Sequence, residues 1–281
     1  MKFARLGAVG AETPAIVDGG TFYSLAGITP DLDGAFWSSG GPARAAAALA
    51  AGELPEMDAT GLRIGAPIAR PASVLGIGLN YAAHAAESGS EPPAAPILFQ
   101  KAGNTVVGPN DPVAIPRGST KTDWEAELGV VIGTRASYLD SPSEALSHIA
   151  GFVTVNDLSE RTFQLEGPGG QWSKGKSCAG FCPTGPYLVT PEEVDAGDLR
   201  LRSWVNGEPR QDSSTRDMIF DVATIIHDLS QYMVLEPGDL ICTGTPEGVA
   251  MSGRFPYLKA GDVVEIEVAG LGRQRQEFIR T

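Results

Sequence analysis

The sequence predicts an α+β protein: a β-rich principal domain built on a rolled sheet, preceded by a small N-terminal α+β domain. Short apolar runs recur between Gly and Pro punctuation, and 35 glycines with 21 prolines suit the many turns that such runs need. Few stretches carry helical periodicity. The regular alternation of strand and helix that a doubly wound parallel sheet requires is absent. At 281 residues, 42% hydrophobic and 20% charged, the chain has room for one large domain with a small appendage.

The N-terminal domain is assigned to residues 1–70. Strands are expected around Lys2–Val9 and Ala15–Val17, followed by a Phe22-Tyr23 pair and an alanine-rich helix near Ala43–Ala51. The proline-bounded segment Ala66–Pro71 cannot continue a helix and marks the junction to residues 71–281. In this second domain strands are expected at Ser73–Ile77, Ile97–Phe99, Leu128–Ile132, Phe152–Val155, Tyr187–Val189, Leu240–Cys242 and Val263–Val268. Helices are expected at Pro142–Ile149 and at Asp221–Leu235, where Val222, Ile225, Ile226, Leu229, Tyr232 and Met233 fall on one face.

Charge narrows the partners. The 21 basic residues against 34 acidic ones leave a formal charge of −13, which repels nucleic-acid backbones and anionic lipid, so neither is expected to bind. An anionic substrate would need a local cation to gather it. Cys178, Cys182 and Cys242 form no disulfide framework, and no apolar run is long enough for a signal sequence or a membrane span. A cytoplasmic location is expected on those grounds.

The chemistry concentrates in a few segments. In Asp123-Trp124-Glu125-Ala126-Glu127, strand geometry puts the three acids on one face, and they lead directly into the apolar run Leu128–Ile132. Carboxylates so close repel unless a cation lies between them, and oxygen-only donors point to Mg2+, Mn2+ or Ca2+. Taken alone, the pentapeptide is equally compatible with an edge strand carrying solvated acids. Asp157 ends the apolar run from Phe152, and Arg161 and Gln164 follow at i+4 and i+7. A turn or short helix would line up a metal ligand, a bidentate carboxylate clamp and an amide donor on one side, a set suited to a small oxo-acid; an ordinary Asp157–Arg161 salt bridge is the plainer alternative.

Lys176 lies in the glycine-rich stretch Gly167–Gly180, which lacks the spacing of a phosphate-binding loop. Beside a metal such a lysine would stabilise an enolate or oxyanion; otherwise it is a solvated loop residue. Asn80 is expected to cap a helix on which His84 and Glu87 share one side, either as a general-base dyad or as a surface pair. His148 and His227 have no such company and are assigned to structure. Small residues around Thr243-Gly244-Thr245-Pro246 let backbone amides and hydroxyls approach a ligand carboxylate.

In their order along the chain, Gly78–His84, Asp123–Glu127, Asn156-Asp157 with Arg161 and Gln164, Gln171–Ser177, Phe181–Val189 and Thr243–Pro246 resemble the fumarylacetoacetate hydrolase family over roughly residues 70–281. Glu160–Glu166 followed by Gly-Gly-Gln-Trp looks most like its branch of 2,4-diketo-3-deoxy-sugar-acid hydrolases and ureidoglycolate lyase-like proteins. The resemblance implies the family's β-roll-like fold with an N-terminal extension, usually as a homodimer. It further implies Mg2+ or Mn2+ on Glu125, Glu127 and Asp157, Lys176 at the reacting carbonyl, and His84 with Glu87 on a lid, activating water. Tyr81, Arg161, Gln164 and Thr245 are the expected substrate contacts. The expected reaction is hydrolytic C–C cleavage of a 2,4-dioxo acid to pyruvate and a second acid. The alternatives are decarboxylation, tautomerisation or isomerisation through the same metal enolate, or a catalytically degenerate metal-binding protein. The last rests on Ala179, since after Gly-Lys-Ser many members carry an aromatic or small residue followed by Asp and Thr, where this chain has Cys178, Ala179 and Gly180.

Overall fold

A computed structural model describes residues 1–281. Its centre is an 11-stranded sheet that runs in the order Glu56–Met57, Thr21–Ser24, Thr13–Asp18, Lys2–Leu6, Leu188–Val189, Ile149–Asn156, Ala126–Ile132, Leu240–Cys242, Val74–Gly78 and Ile97–Lys101, with Ile64–Gly65 also paired to Lys2–Leu6. A second sheet has 5 strands, in the order Glu208–Ser214, Arg200–Val205, Val263–Val268, Gly272–Arg280 and Val113–Ile115. Helices are short and peripheral, the longest being Gly41–Ala50 and Val222–Ser230.

The apolar run at 126–132 is apolar because both of its faces are covered. Leu128, Val130 and Ile132 pack on one side with Leu75, Phe152, Ile226 and Leu229, whereas Val131 packs on the other with Phe3, Phe36, Val153 and Leu240. Residues 1–70 share that second cluster, and their first strand pairs directly with Leu188–Val189 through Lys2↔Val189 and Phe3↔Leu188.

The expected helix at 142–149 is a single turn, Pro142–Ala145, followed by a 3-10 turn at Leu146–His148; Ile149 already begins the next strand. The helix expected through Leu235 stops at Ser230, because Leu235 exchanges backbone bonds of 3.0 and 2.9 Å with Ala136. Asp221 is its N-cap, accepting from Thr224 N at 2.8 Å.

Strand direction assembles the site. Ala126–Ile132 and Ile149–Asn156 are antiparallel with Ala126 opposite Asn156, so Glu125, before one strand, meets Asp157, after the other, and Asp157 N donates to Glu125 O at 2.9 Å. Leu240–Cys242 runs antiparallel to Ala126–Ile132 and parallel to Val74–Gly78. Chain 243–246 and chain 79–84 therefore leave the sheet at the same edge as the acids.

Candidate active site

At that edge lies a cavity of about 370 Å³, with Glu125, Glu127, Arg161 and Lys176 in its lining and His84 and Thr245 also on its wall. The acids do not continue one regular strand as expected. The ladder breaks at Trp124-Glu125, and Asp123 is turned away from the other two. Fully buried, Asp123 accepts from Arg161 Nε at 2.9 Å and from the backbone N–H groups of Ala250 and Met251 at 2.8 and 3.0 Å. Asp157 takes its place: ligand atoms of Glu125, Glu127 and Asp157 all lie within 4.8 Å of one another.

Lysines hold two of these acids. Lys176 Nζ donates to Glu125 Oε2 at 2.5 Å and to Asp157 Oδ2 at 2.7 Å, and lies 4.9 Å from the centroid of the Phe99 ring. Lys101, which sequence reasoning missed, is enclosed behind the site and donates to Asp157 Oδ1 at 2.5 Å and to Leu158 O at 3.2 Å. Lys176 belongs to the short helix Trp172–Lys176 rather than to a loop. Burial opposes charge on both Glu125 and Lys176. Lys176 and Arg161 outweigh it and hold the Glu125 carboxyl low; Asp157 and Glu125 outweigh it for Lys176, whose pKa is raised.

Glu127 has no basic partner; its Oε2 accepts from Gly244 N at 2.9 Å. Burial, then repulsion from Asp157 and Glu125, pushes its carboxyl well above the ordinary range. A buried carboxylate lacking a cation, beside two carboxylates that hold lysines, fits a divalent ion, and the all-oxygen donor set suits Mg2+ or Mn2+.

Arg161 heads the helix Arg161–Leu165, and its Nη1 donates to Gln164 Oε1 at 2.9 Å, so these two side chains do meet on one side. The expected alternative of an Asp157–Arg161 salt bridge is not formed. Arg161 Nη2 instead lies 2.8 Å from Asp123 Oδ2 and 2.8 Å from Glu125 Oε1, with hydrogen-bond geometry to neither. Gln164 lines the cavity, as does Thr245, whose hydroxyl donates to Ala126 O at 3.0 Å.

His84 lies on the helix Ala82–Glu87, with Nδ1 buried, unpartnered and 3.9 Å from Glu87 Oε2. The expected dyad is thus within reach but not hydrogen-bonded. Glu87 accepts instead from Gly248 N at 3.0 Å and from Arg254 Nη1 at 3.1 Å, tying the helix to chain 248–254. Burial lowers the His84 pKa, so the imidazole is neutral near pH 7. Asn80 does not cap this helix. Its Nδ2 donates to Thr243 O at 2.7 Å and to Phe220 O at 3.0 Å, and Tyr81 occupies the cap position without a side-chain bond. Tyr81, expected to touch substrate, is fully buried and absent from the cavity lining.

Residues 73–279 match the family model described as fumarylacetoacetate (FAA) hydrolase C-terminal. The chain belongs to the fumarylacetoacetate hydrolase family. It is 46% identical over 283 residues to 2,4-didehydro-3-deoxy-L-rhamnonate hydrolase of Sphingomonas sp. (strain SKA58), covering 99% of this chain and 95% of that protein. Among solved structures, fumarylacetoacetate hydrolase from Exiguobacterium antarcticum superposes with a TM-score of 0.88 at 34% identity, covering 100% of both chains. Maleylpyruvate hydrolase from Sphingobium sp. SYK-6, in complex with manganese(II) and pyruvate, superposes with a TM-score of 0.81 at 25% identity, covering 100% of this chain and 99% of that one. No helix is long and apolar enough to cross a membrane.

Proposed function

We propose that this protein is a divalent-metal-dependent hydrolase that cleaves the C3–C4 bond of a 2,4-dioxo acid, either an acylpyruvate or a 2,4-diketo-3-deoxy sugar acid, to give pyruvate and a second acid. The observation that carries this reading is the buried triad of Glu125, Glu127 and Asp157 beside the Lys176 ammonium, with His84 in the lining of the same cavity. The sugar-acid relative and the neighbour holding manganese and pyruvate support it.

Bound to the three carboxylates, Mg2+ or Mn2+ supplies Lewis acidity to the 2-oxo acid end of the substrate and offsets the negative charge of the site. Arg161, steadied by Asp123 and Gln164, places its positive charge beside Glu125 in the cavity lining, where it draws the substrate carboxylate. Neutral His84 accepts a proton from water as the water oxygen adds to C4. The C3–C4 bond then breaks, its electron pair passes to the pyruvate fragment as the enolate, and the C4 fragment leaves as a carboxylic acid. Lys176, kept charged by its two carboxylates, stabilises the enolate oxygen, and proton return to C3 completes pyruvate. The departure at Cys178-Ala179-Gly180 leaves Lys176 anchored, which favours an active enzyme over a degenerate one.

The test is pyruvate release with Mn2+ or Mg2+, from 2,4-dioxo acids and from oxaloacetate in parallel. Equimolar pyruvate and second acid from a 2,4-dioxo acid is expected. Pyruvate from oxaloacetate alone would replace hydrolysis with decarboxylation, and silence toward both would overturn the reading.

A further inference from the structure

Gln211 lies outside the cavity lining, on the strand Glu208–Ser214 of the second sheet, and is 1% exposed. Its side-chain amide makes four bonds. Nε2 donates to Thr245 Oγ1 at 2.8 Å and to Pro246 O at 2.9 Å, while Oε1 accepts from Ala126 N at 3.0 Å and from Ser203 Oγ at 2.9 Å. These partners fix the orientation of the amide, because a flip would set its NH2 against the Ala126 N–H and its oxygen against the Pro246 carbonyl.

Two of the partners belong to the site. Ala126 is the residue between Glu125 and Glu127, so its position sets how those carboxylates are presented to each other. Thr245 lines the cavity and donates back to Ala126 O, closing a ring of bonds through Gln211, Thr245 and Ala126. Gly244, next along, donates to Glu127 Oε2.

We propose that Gln211 is a positioning residue for the cation site, clamping the Ala126 peptide and the Thr245 hydroxyl so that Glu125 and Glu127 are held at the spacing a divalent ion needs. The proposal rests on reading the acids as a cation site. It assigns to the second sheet, which supplies no residue to the cavity lining, a hold on the metal ligands of the first.

A structural residue would change Tm and leave ion affinity of the folded protein alone; a positioning residue changes affinity. The experiment is a calorimetric titration of chelator-stripped protein with Mn2+, below Tm, with circular dichroism confirming the fold. Gln211→Met, similar in length but unable to hydrogen-bond, should raise the Mn2+ Kd by about 10- to 100-fold, as losses of outer partners of metal ligands do. Combined with Thr245→Val, its effect should fall short of the product of the two single effects, because both substitutions open the same ring. Should Gln211→Met fail to fold, the ring is probed from its other side: Thr245→Ser should keep the wild-type Kd and Thr245→Val should raise it. Wild-type uptake with Gln211→Met within about two-fold, or with Thr245→Val unchanged where Met does not fold, overturns the role of Gln211 alone. No uptake by the wild type overturns the cation site, and the proposal with it.

Discussion

At His84, burial sets the protonation state on which the proposed water activation depends. The histidine pKa lies below its ordinary 6.5, so the neutral imidazole persists as pH falls through that value. With Mn2+ saturating, kcat/KM should therefore stay level past pH 6.5 and fall only below it, because the proton that disables the base binds late. An acid limb at or above 6.5 in the pH–rate profile would remove His84 from the role. Replacing it with alanine should abolish hydrolysis of a 2,4-dioxo acid and spare any oxaloacetate decarboxylation, since only hydrolysis needs a nucleophilic water. Lys176 answers to a different measurement. Its ammonium should be worth about 3 kcal/mol to the developing enolate, so Lys176→Met should lower kcat roughly 100-fold with a smaller change in KM, while Mn2+ still binds.

Among the elements, the short helix Trp172–Lys176 carries two residues of the cavity lining, Trp172 at its start and Lys176 at its end. Trp172 packs over Gly78, where a Cβ would lie 2.2 Å from the indole Cζ3, so only glycine lets the ring sit there. Gly78→Ala should push the indole and its helix outward and lower kcat/KM at least 10-fold, a displacement cost of the kind seen when a catalytic group moves by an ångström. Adding Trp172→Leu should restore part of the loss; no recovery in the double variant would show that the strand, not the helix, carries the damage.

Some of these elements are legible in the sequence and others are not. Strands with apolar inward residues, such as Leu240–Cys242 and Val263–Val268, were readable to the residue. Gly272–Arg280 was not, because two of its buried positions are Gln274 and Gln276, whose amides replace hydrophobic packing. The acids running into the apolar strand made Glu125 and Glu127 legible but grouped Asp123 with them; the family resemblance is what put Asp157 in the set. Lys101, Gln211 and the hold of Asp123 on Arg161 were not legible, since the partners that tie them to the site lie 34 to 85 residues away and nothing local marks them.

For the molecule as a whole, the acid triad sets function against stability. Glu127 has a folded pKa raised well above its ordinary 4.5, so in the metal-free protein its penalty is absent below about that pH and grows as pH rises toward the folded value. Metal-free Glu127→Gln should accordingly melt higher than metal-free wild type at pH 7, with the gap closing as pH approaches 4.5; a lower Tm at pH 7 would make the acid structural. With Mn2+ the order should reverse, because the wild type gains the binding free energy that the variant loses. The formal charge of −13 adds to this, since an acidic protein gathers an anionic substrate only through a local cation. The most direct measurement is turnover of a 2,4-dioxo acid by chelator-stripped protein before and after titration with Mn2+. A metal-dependent hydrolase should release no pyruvate without metal, reach full activity at one Mn2+ per chain and show no recovery in Glu127→Gln; wild-type pyruvate release that persists in chelator would rule out metal dependence.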